Sequence, residues 1–329
     1  MSGANVVNIK PNLLVFSRVS SEQVLAELDS LYNVTYCIDP LGADQERFFA
    51  ALPEADALLG ASLKLDRALL ARAPRLKVIA SVSAGYDNYD LDYLRERGIR
   101  LTNTPDAVTE TTADTAFLLL MMAARRALEL ADLVRQGHWR EKNIADSLFG
   151  TDVHGKRLGI IGLGRIGAAI ARRGHFGFGM SILYSGQSNK PALEQELGAQ
   201  RMALEQLLDE ADFICVCVPL SDATRQLIGA REFALMGEQS IFLNVSRGPV
   251  VDETALIEVL QRRGIRAAAL DVFAQEPLPA DSPLLGLNNM LALPHIGSAT
   301  REARALMART AAANLKCALE GHMPPDCVV

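Results

Sequence analysis

The chain has 329 residues, 49% of them hydrophobic, and its 33 basic and 39 acidic side chains leave a net charge of −6. That length suits about two domains with proper cores, and the apolar share excludes a largely disordered chain. The acidic balance, with no long basic block, argues against nucleic-acid or anionic-membrane partners. MSGANVVNIKPN at the N-terminus has no basic segment leading into an apolar one, so no signal peptide is expected, and the longest apolar run, Ala116 to Ala124, is too short to span a bilayer. The five cysteines have no C-x-x-C spacing. Cys215 and Cys217 read as small apolar packing on a buried strand rather than metal or redox ligands. A reduced, cytoplasmic protein without a metal site is expected.

Taken in order, Leu13–Phe16, Val34–Ile38, Ala57–Gly60, Val78–Ser81 and Arg100–Asn103 read as short strands. Helical stretches at Ser20–Leu31, Gln45–Leu52, Asp66–Arg72 and Tyr89–Arg97 separate them. Strand and helix alternating at short spacing predict a parallel-sheet α/β domain. SVSAGYDN, Ser81 to Asn88, opens from a strand end into a glycine-containing loop, the kind of place where open parallel sheets bind ligands. Thr104-Pro105 marks a boundary. A long helix is predicted from about Thr109 to Gln136, apolar around much of its circumference. Residues 138–155 read as an irregular segment holding the lone Trp139.

Lys156 begins a second domain. Leu158–Ile161 reads as a buried strand, Gly162, Gly164 and Gly167 follow at G-x-G-x-x-G spacing, and Ala168–Ala171 belong to a helix. The first glycine permits the tight turn, the second lets a pyrophosphate approach the backbone, and the third lets helix and strand pack closely. Further strands are read at Ser181–Tyr184, Phe213–Val218, Ile241–Val245, Ala267–Leu270 and Leu291–Leu293, giving a doubly wound sheet of at least six strands. A last Ala-rich helix from Ser298 to about Glu320 is expected to cross back and finish the first domain. The fold class is therefore α/β with two Rossmann-like or flavodoxin-like parallel-sheet domains. Residues 1–103 plus 299–329 would form the substrate domain, interrupted by a dinucleotide-binding domain over 104–298.

An acidic residue some twenty positions after such a glycine turn holds the ribose 2′-hydroxyl in NAD sites. Here Ser185-Gly186-Gln187-Ser188-Asn189-Lys190 contains none, and Ser185, Ser188 and Lys190 could hydrogen-bond a 2′-phosphate. NADPH is favoured, with NADH still open. Three polar residues follow strands in the same half: Arg247, Glu276 and His295. Reduction of a 2-oxo acid needs such a set. A permanent cation clamps the carboxylate and polarises the C2 carbonyl. A titratable acid hands the nascent alkoxide a proton, and a carboxylate orients that acid and favours its charged form.

Along nearly its whole length the chain resembles the D-isomer-specific 2-hydroxyacid dehydrogenase family. The resemblance rests on LGIIGLGRIG, NVSRGPVVDETAL, ALDVFAQEPL and PHIGSAT, which occur in the family's order. GYDN, VTETTADTAF, LFGTDVHGK and RRGHFGF resemble the subgroup of glyoxylate/hydroxypyruvate and 2-ketogluconate reductases. The resemblance implies Arg247 as substrate-binding residue, His295 as general acid and Glu276 as its partner. It also implies that the N–H groups of Ala84 and Gly85 receive the substrate carboxylate. Cofactor contacts are implied for Thr112, Arg165, Ile166, Pro219, Val245, Ser246, Asp271 and Gly297, and a homodimer formed through the coenzyme domains. The chain departs from the pattern where NADPH-preferring relatives place Arg and it has Gln187 and Ser188, and at Leu148-Phe149, where relatives tend to carry Trp. Lys64 borders the expected substrate loop, which leaves a 6-phospho-2-ketogluconate reductase as an alternative. A dinucleotide-sensing, corepressor-like protein on the same scaffold is the alternative of another class.

Overall fold

Short apolar runs separated by capped helices dictate the first sheet of the computed structural model, which describes residues 10–329. The reading of residues 1–12 as leader-free falls mostly outside that range. Strands β1 (Asn12–Val15), β2 (Asn33–Tyr36), β3 (Ala57–Gly60), β4 (Val78–Ser81) and β5 (Arg100–Thr102) pair parallel in the order β2-β1-β3-β4-β5. Central β3 and β4 are buried throughout, which is why they read as continuous apolar runs rather than alternating ones. Ser21 caps the helix Glu22–Leu31 by accepting from the Val24 N–H. Asp90 caps Leu91–Arg97 in the same way, and Gly98, at φ +65°, ends it. The helix Arg301–Leu319 packs across β3, β4 and β5 and buries Met307, Ala308, Ala311 and Leu315 in one cluster with Leu13, Val15 and Val78. The tail then runs along the sheet edge: Val328 N–H donates to Leu101 C=O (2.7 Å), and Thr102 pairs with Cys327.

The chain divides into two compact units, one running through Val108 and resuming at Thr300–Val329, the other continuous over Thr109–Ala299. The second is built on β6 (Arg157–Ile161), β7 (Ser181–Ser185), β8 (Gln200–Arg201), β9 (Phe213–Val216), β10 (Ile241–Asn244), β11 (Ala267–Leu270) and β12 (Met290–Ala292). All pair parallel in the order β12-β11-β10-β9-β6-β7-β8, so the winding reverses between β6 and β9. The α/β class with two parallel sheets stands as expected. β8 escaped the sequence reading because it is two residues long and exposed on both, with no apolar run to mark it. On one face the sheet packs against the helix Thr109–Arg125, with Ala113, Ala116, Leu119 and Leu120 against Leu158, Ile160 and Phe213.

The single helix expected over residues 109–136 is two. It breaks at Arg126, φ +53°, and resumes as Ala127–Arg135. Arg126 explains the break. Its guanidinium grips both oxygens of Glu129 at 2.8 Å and bonds the Ser147 carbonyl, holding a left-handed residue that an unbroken helix would forbid. Among the described residues no helix is long and apolar enough to cross a membrane.

Candidate active site

The glycine turn lies at the switch point of the seven-stranded sheet, at the carboxyl ends of β6 and β9, where open α/β sheets bind ligands. Gly162 has φ +97°, and a Cβ there would stand 2.7 Å from Val218 Cγ1, so both backbone and space require glycine. Gly164 caps the helix Arg165–Arg172, and nothing lies within 4 Å of where its Cβ would be. A Cβ on Gly167 would fall 2.3 Å from the Gly162 carbonyl oxygen, so helix and turn are in close contact. Open ground over helix N–H groups, backed by a tight turn, is what a pyrophosphate needs, and these residues fit a dinucleotide. Arg165 and Ile166 open the helix, Pro219 follows β9, and Val245 and Ser246 follow β10. Cys215 and Cys217 hold their sulfurs 3.7 Å apart. The contact with Cys215, then burial, pushes the Cys217 thiol well up, which suits neutral packing beside the turn.

Next along the crevice comes the turn after β7. The Ser185 carbonyl accepts from Gly162 N–H at 2.9 Å. Buried Tyr184 bonds Glu194 through its hydroxyl, and Lys190 N–H donates to both, at 2.9 and 3.2 Å. Gln187, Ser188 and Asn189 are exposed. The sequence reading missed one group here. Arg201, on β8, donates to Asn189 Oδ1 (2.8 Å) and to the Gly186 carbonyl (2.9 Å).

Arg247, Glu276 and His295 follow β10, β11 and β12, three adjacent strands, at the same carboxyl edge. Nδ1 of His295 lies 2.8 Å from Glu276 Oε2, with the two side chains 44% and 35% exposed. Glu276 Oε1 accepts from Phe273 N–H at 2.9 Å. Burial pushes the Glu276 carboxyl up. The hydrogen bonds from His295 and Phe273, with the charges of His295 and Arg247, outweigh that and hold it below the usual carboxylate range.

Each of the three stands on a pinned loop. Buried Asn244 accepts from both Ser246 N–H (3.0 Å) and Ser246 Oγ (2.9 Å) and donates to the Arg247 carbonyl at 2.9 Å. Glu253 Oε2 accepts from Ala274 N–H at 3.0 Å, tying down the loop that carries Glu276. Asp271, 1% exposed, accepts from the N–H groups of Ile296 (2.7 Å) and Gly297 (2.8 Å). Burial nonetheless leaves its carboxyl above the usual range. Thr112 Oγ1 donates to the Gly297 carbonyl at 3.1 Å, so Thr112, Asp271 and Gly297 form one cluster. Asn244 and Glu253 were not anticipated, because they act on backbone groups that only the fold brings near them.

Ala84 and Gly85 belong to the other unit, in the loop after β4. Their carbonyls are tied down, Ala84 by Asn103 Nδ2 and Gly85 by Ser83 Oγ, both at 2.7 Å. Among the described residues neither N–H has a protein acceptor. Lys64 is exposed in the loop after β3.

A parallel sheet with a glycine turn at its switch point and a paired His and Glu at its carboxyl edge suits a dinucleotide and a proton transfer beside it. The family described as D-isomer specific 2-hydroxyacid dehydrogenase, NAD binding domain, matches residues 117–297. The chain is 46% identical over 321 residues to glyoxylate/hydroxypyruvate reductase B of Yersinia enterocolitica, covering 97% of this chain and 98% of that one. Its identity to the Cronobacter sakazakii protein of the same name is 48% over 320 residues, with the same coverage. It superposes with TM-score 0.86 on the NADPH-dependent glyoxylate/hydroxypyruvate reductase of Sinorhizobium meliloti in complex with NADP and malonate, at 32% identity and covering 97% of each chain. The chain belongs to the D-isomer-specific 2-hydroxyacid dehydrogenases. It is an enzyme that uses a nicotinamide dinucleotide to reduce small 2-oxo acids.

Proposed function

We propose that this enzyme reduces glyoxylate, hydroxypyruvate or 2-ketogluconate to the D-2-hydroxy acid and prefers NADPH to NADH. The contact of 2.8 Å between His295 Nδ1 and Glu276 Oε2, beside Arg247 at the ends of adjacent strands, carries the reading. The names of the relatives support glyoxylate and hydroxypyruvate, the family resemblance alone adds 2-ketogluconate, and the Sinorhizobium protein's described NADPH dependence supports the cofactor.

When bound, the dinucleotide supplies the hydride. Arg247 clamps the substrate carboxylate and polarises the C2 carbonyl through its planar fork of donors. His295 delivers a proton from Nε2 to the nascent alkoxide, its Nδ1 being engaged by Glu276. Glu276 stays ionised, so it fixes the ring and balances the imidazolium. The N–H groups of Ala84 and Gly85 are assigned to the substrate carboxylate, as the family resemblance implies. Gly162, Gly164, Gly167, Arg165 and Ile166 hold the pyrophosphate, with Pro219, Val245, Ser246, Thr112, Asp271 and Gly297 along the rest of the dinucleotide. Ser185, Ser188 and Lys190 meet the 2′-phosphate. In this division of labour residues 1–103 and 299–329 serve the substrate and 104–298 the dinucleotide.

A homodimer formed through the second unit and a cytoplasmic location complete the proposal. The helix Ala127–Arg135 supports the dimer: none of its residues is buried, and Leu128, Val134, Trp139 and Phe149 are exposed on or near it.

The test is initial-rate reduction of glyoxylate, hydroxypyruvate, 2-ketogluconate and its 6-phosphate, each with NADPH and NADH. The reading predicts turnover of an unphosphorylated acid, faster with NADPH and lost in His295→Ala. Turnover confined to the phosphorylated acid and lost in Lys64→Ala would give the site to a sugar-acid phosphate. Dinucleotide binding without any turnover would make the chain a sensor.

A further inference from the structure

We propose that Arg201 joins Ser185, Ser188 and Lys190 at the 2′-phosphate of NADPH and is the residue that sets the cofactor preference, an inference that rests on the NADPH reading above. The turn after β7 carries no arginine of its own, because Gln187, Ser188 and Asn189 occupy its tip. The cation comes instead from the neighbouring strand. β8 pairs with β7 so that Arg201 stands opposite Tyr184, one residue before Ser185 at the strand's carboxyl end. From there the guanidinium reaches the turn and donates to Asn189 Oδ1 at 2.8 Å and to the Gly186 carbonyl at 2.9 Å.

Both of those acceptors are neutral. Elsewhere in this unit Arg157, Arg172, Arg173 and Arg231 each pair with a carboxylate. Among the described residues Arg201 has no such partner, and the adjacent Glu194 is already engaged by Tyr184 and Lys190. Arg201 is therefore a fixed, exposed cation whose charge the protein leaves uncompensated beside the ribose end of the crevice. A guanidinium has five N–H donors, and the turn uses two. The remaining donors suit a phosphate dianion, which accepts charge-assisted bonds from a fork of this kind. The turn is braced at its other end by Lys190 N–H, so the guanidinium is positioned before ligand arrives.

Equilibrium binding tests this without turnover. Dissociation constants for NADPH, NADH, adenosine 2′,5′-bisphosphate and 5′-AMP are measured on the wild type, Arg201→Gln, Arg201→Lys and Lys190→Met. In Arg201→Gln the NADPH and bisphosphate constants are expected to rise on the order of 10- to 100-fold. NADH and 5′-AMP should hold to about twofold, and Arg201→Lys should recover part of the loss by charge alone. Equal wild-type affinity for NADPH and NADH would overturn the NADPH reading itself. A wild-type preference that survives in Arg201→Gln but disappears in Lys190→Met would overturn the assignment to Arg201. Equal losses for all four ligands in Arg201→Gln would also overturn it, making the residue a brace of the turn.

Discussion

His295 adopts φ +51°, a left-handed conformation that costs a non-glycine residue on the order of 1–3 kcal/mol. Asp271 offsets that cost by accepting the next two backbone N–H groups, and Glu276 fixes the ring. If His295 is the general acid proposed above, the rate of reduction should fall as pH rises and the proton is lost, while oxidation of the hydroxy acid follows the opposite course. Glu276 is held below the usual carboxylate range and so stays ionised at neutral pH. Glu276→Gln removes the counter-charge, and the alkaline limb of reduction should move to lower pH in a kcat/KM profile, with kcat down about 10- to 100-fold. A profile unmoved in this variant would refute the pairing. The placement of Arg247, Glu276 and His295 at one sheet edge was legible in the sequence because each follows an apolar run that had to be a strand. Asn244, Glu253 and Arg201 were not. Two of them act on main-chain groups, and the third reaches across from a strand too short to leave a pattern.

At the scale of elements, the loops after β10 and β11 are in direct backbone contact. A Cβ on Gly248 would lie 1.8 Å from the Phe273 carbonyl carbon and 2.4 Å from Ala274 N. The same peptide unit ends in the Ala274 N–H held by Glu253, and its first residue supplies the N–H held by Glu276. The loops that carry Arg247 and Glu276 thus meet at two consecutive amides, one packed against Gly248 and the other held by Glu276. Gly248→Ala should destabilise the protein by about 1–3 kcal/mol, read as a Tm several degrees lower. It should also reduce kcat while leaving 5′-AMP affinity unchanged, since the glycine turn after β6 is untouched. A normal kcat would show that the two loops act independently. Strands β3, β4 and β11 match the expected spans because buried parallel strands are uniform apolar runs. The break at Arg126 was hidden because apolar periodicity continues through it, while the guanidinium is held partly by the nearby Glu129 and partly by the distant Ser147 carbonyl, which only the fold brings near.

For the whole molecule, the proposed homodimer makes the sharpest prediction. Val134 is 55% and Leu128 44% exposed on a helix none of whose residues is fully buried. Light scattering should give twice the chain mass of 35.6 kDa, and Leu128→Glu with Val134→Glu should return the single-chain value. A wild type already at that single value would refute the dimer. Composition indicated two domains and strand–helix alternation their class, but nothing local in sequence tells whether an exposed apolar helix face meets a second copy. The insertion of one unit within the other also sets an order of events during synthesis. The sheet of β1–β5 lacks its packing helix Arg301–Leu319 and its edge contacts at Leu101 and Thr102 until the end of the chain emerges. At ~5–20 residues per second, the first hundred residues wait roughly 10–45 s on the ribosome while Thr109–Ala299 becomes available. The part that begins first is finished last, so the nascent chain passes through a stage in which a completed central unit is preceded by five strands with an uncovered apolar face, open to chaperones and to proteolysis.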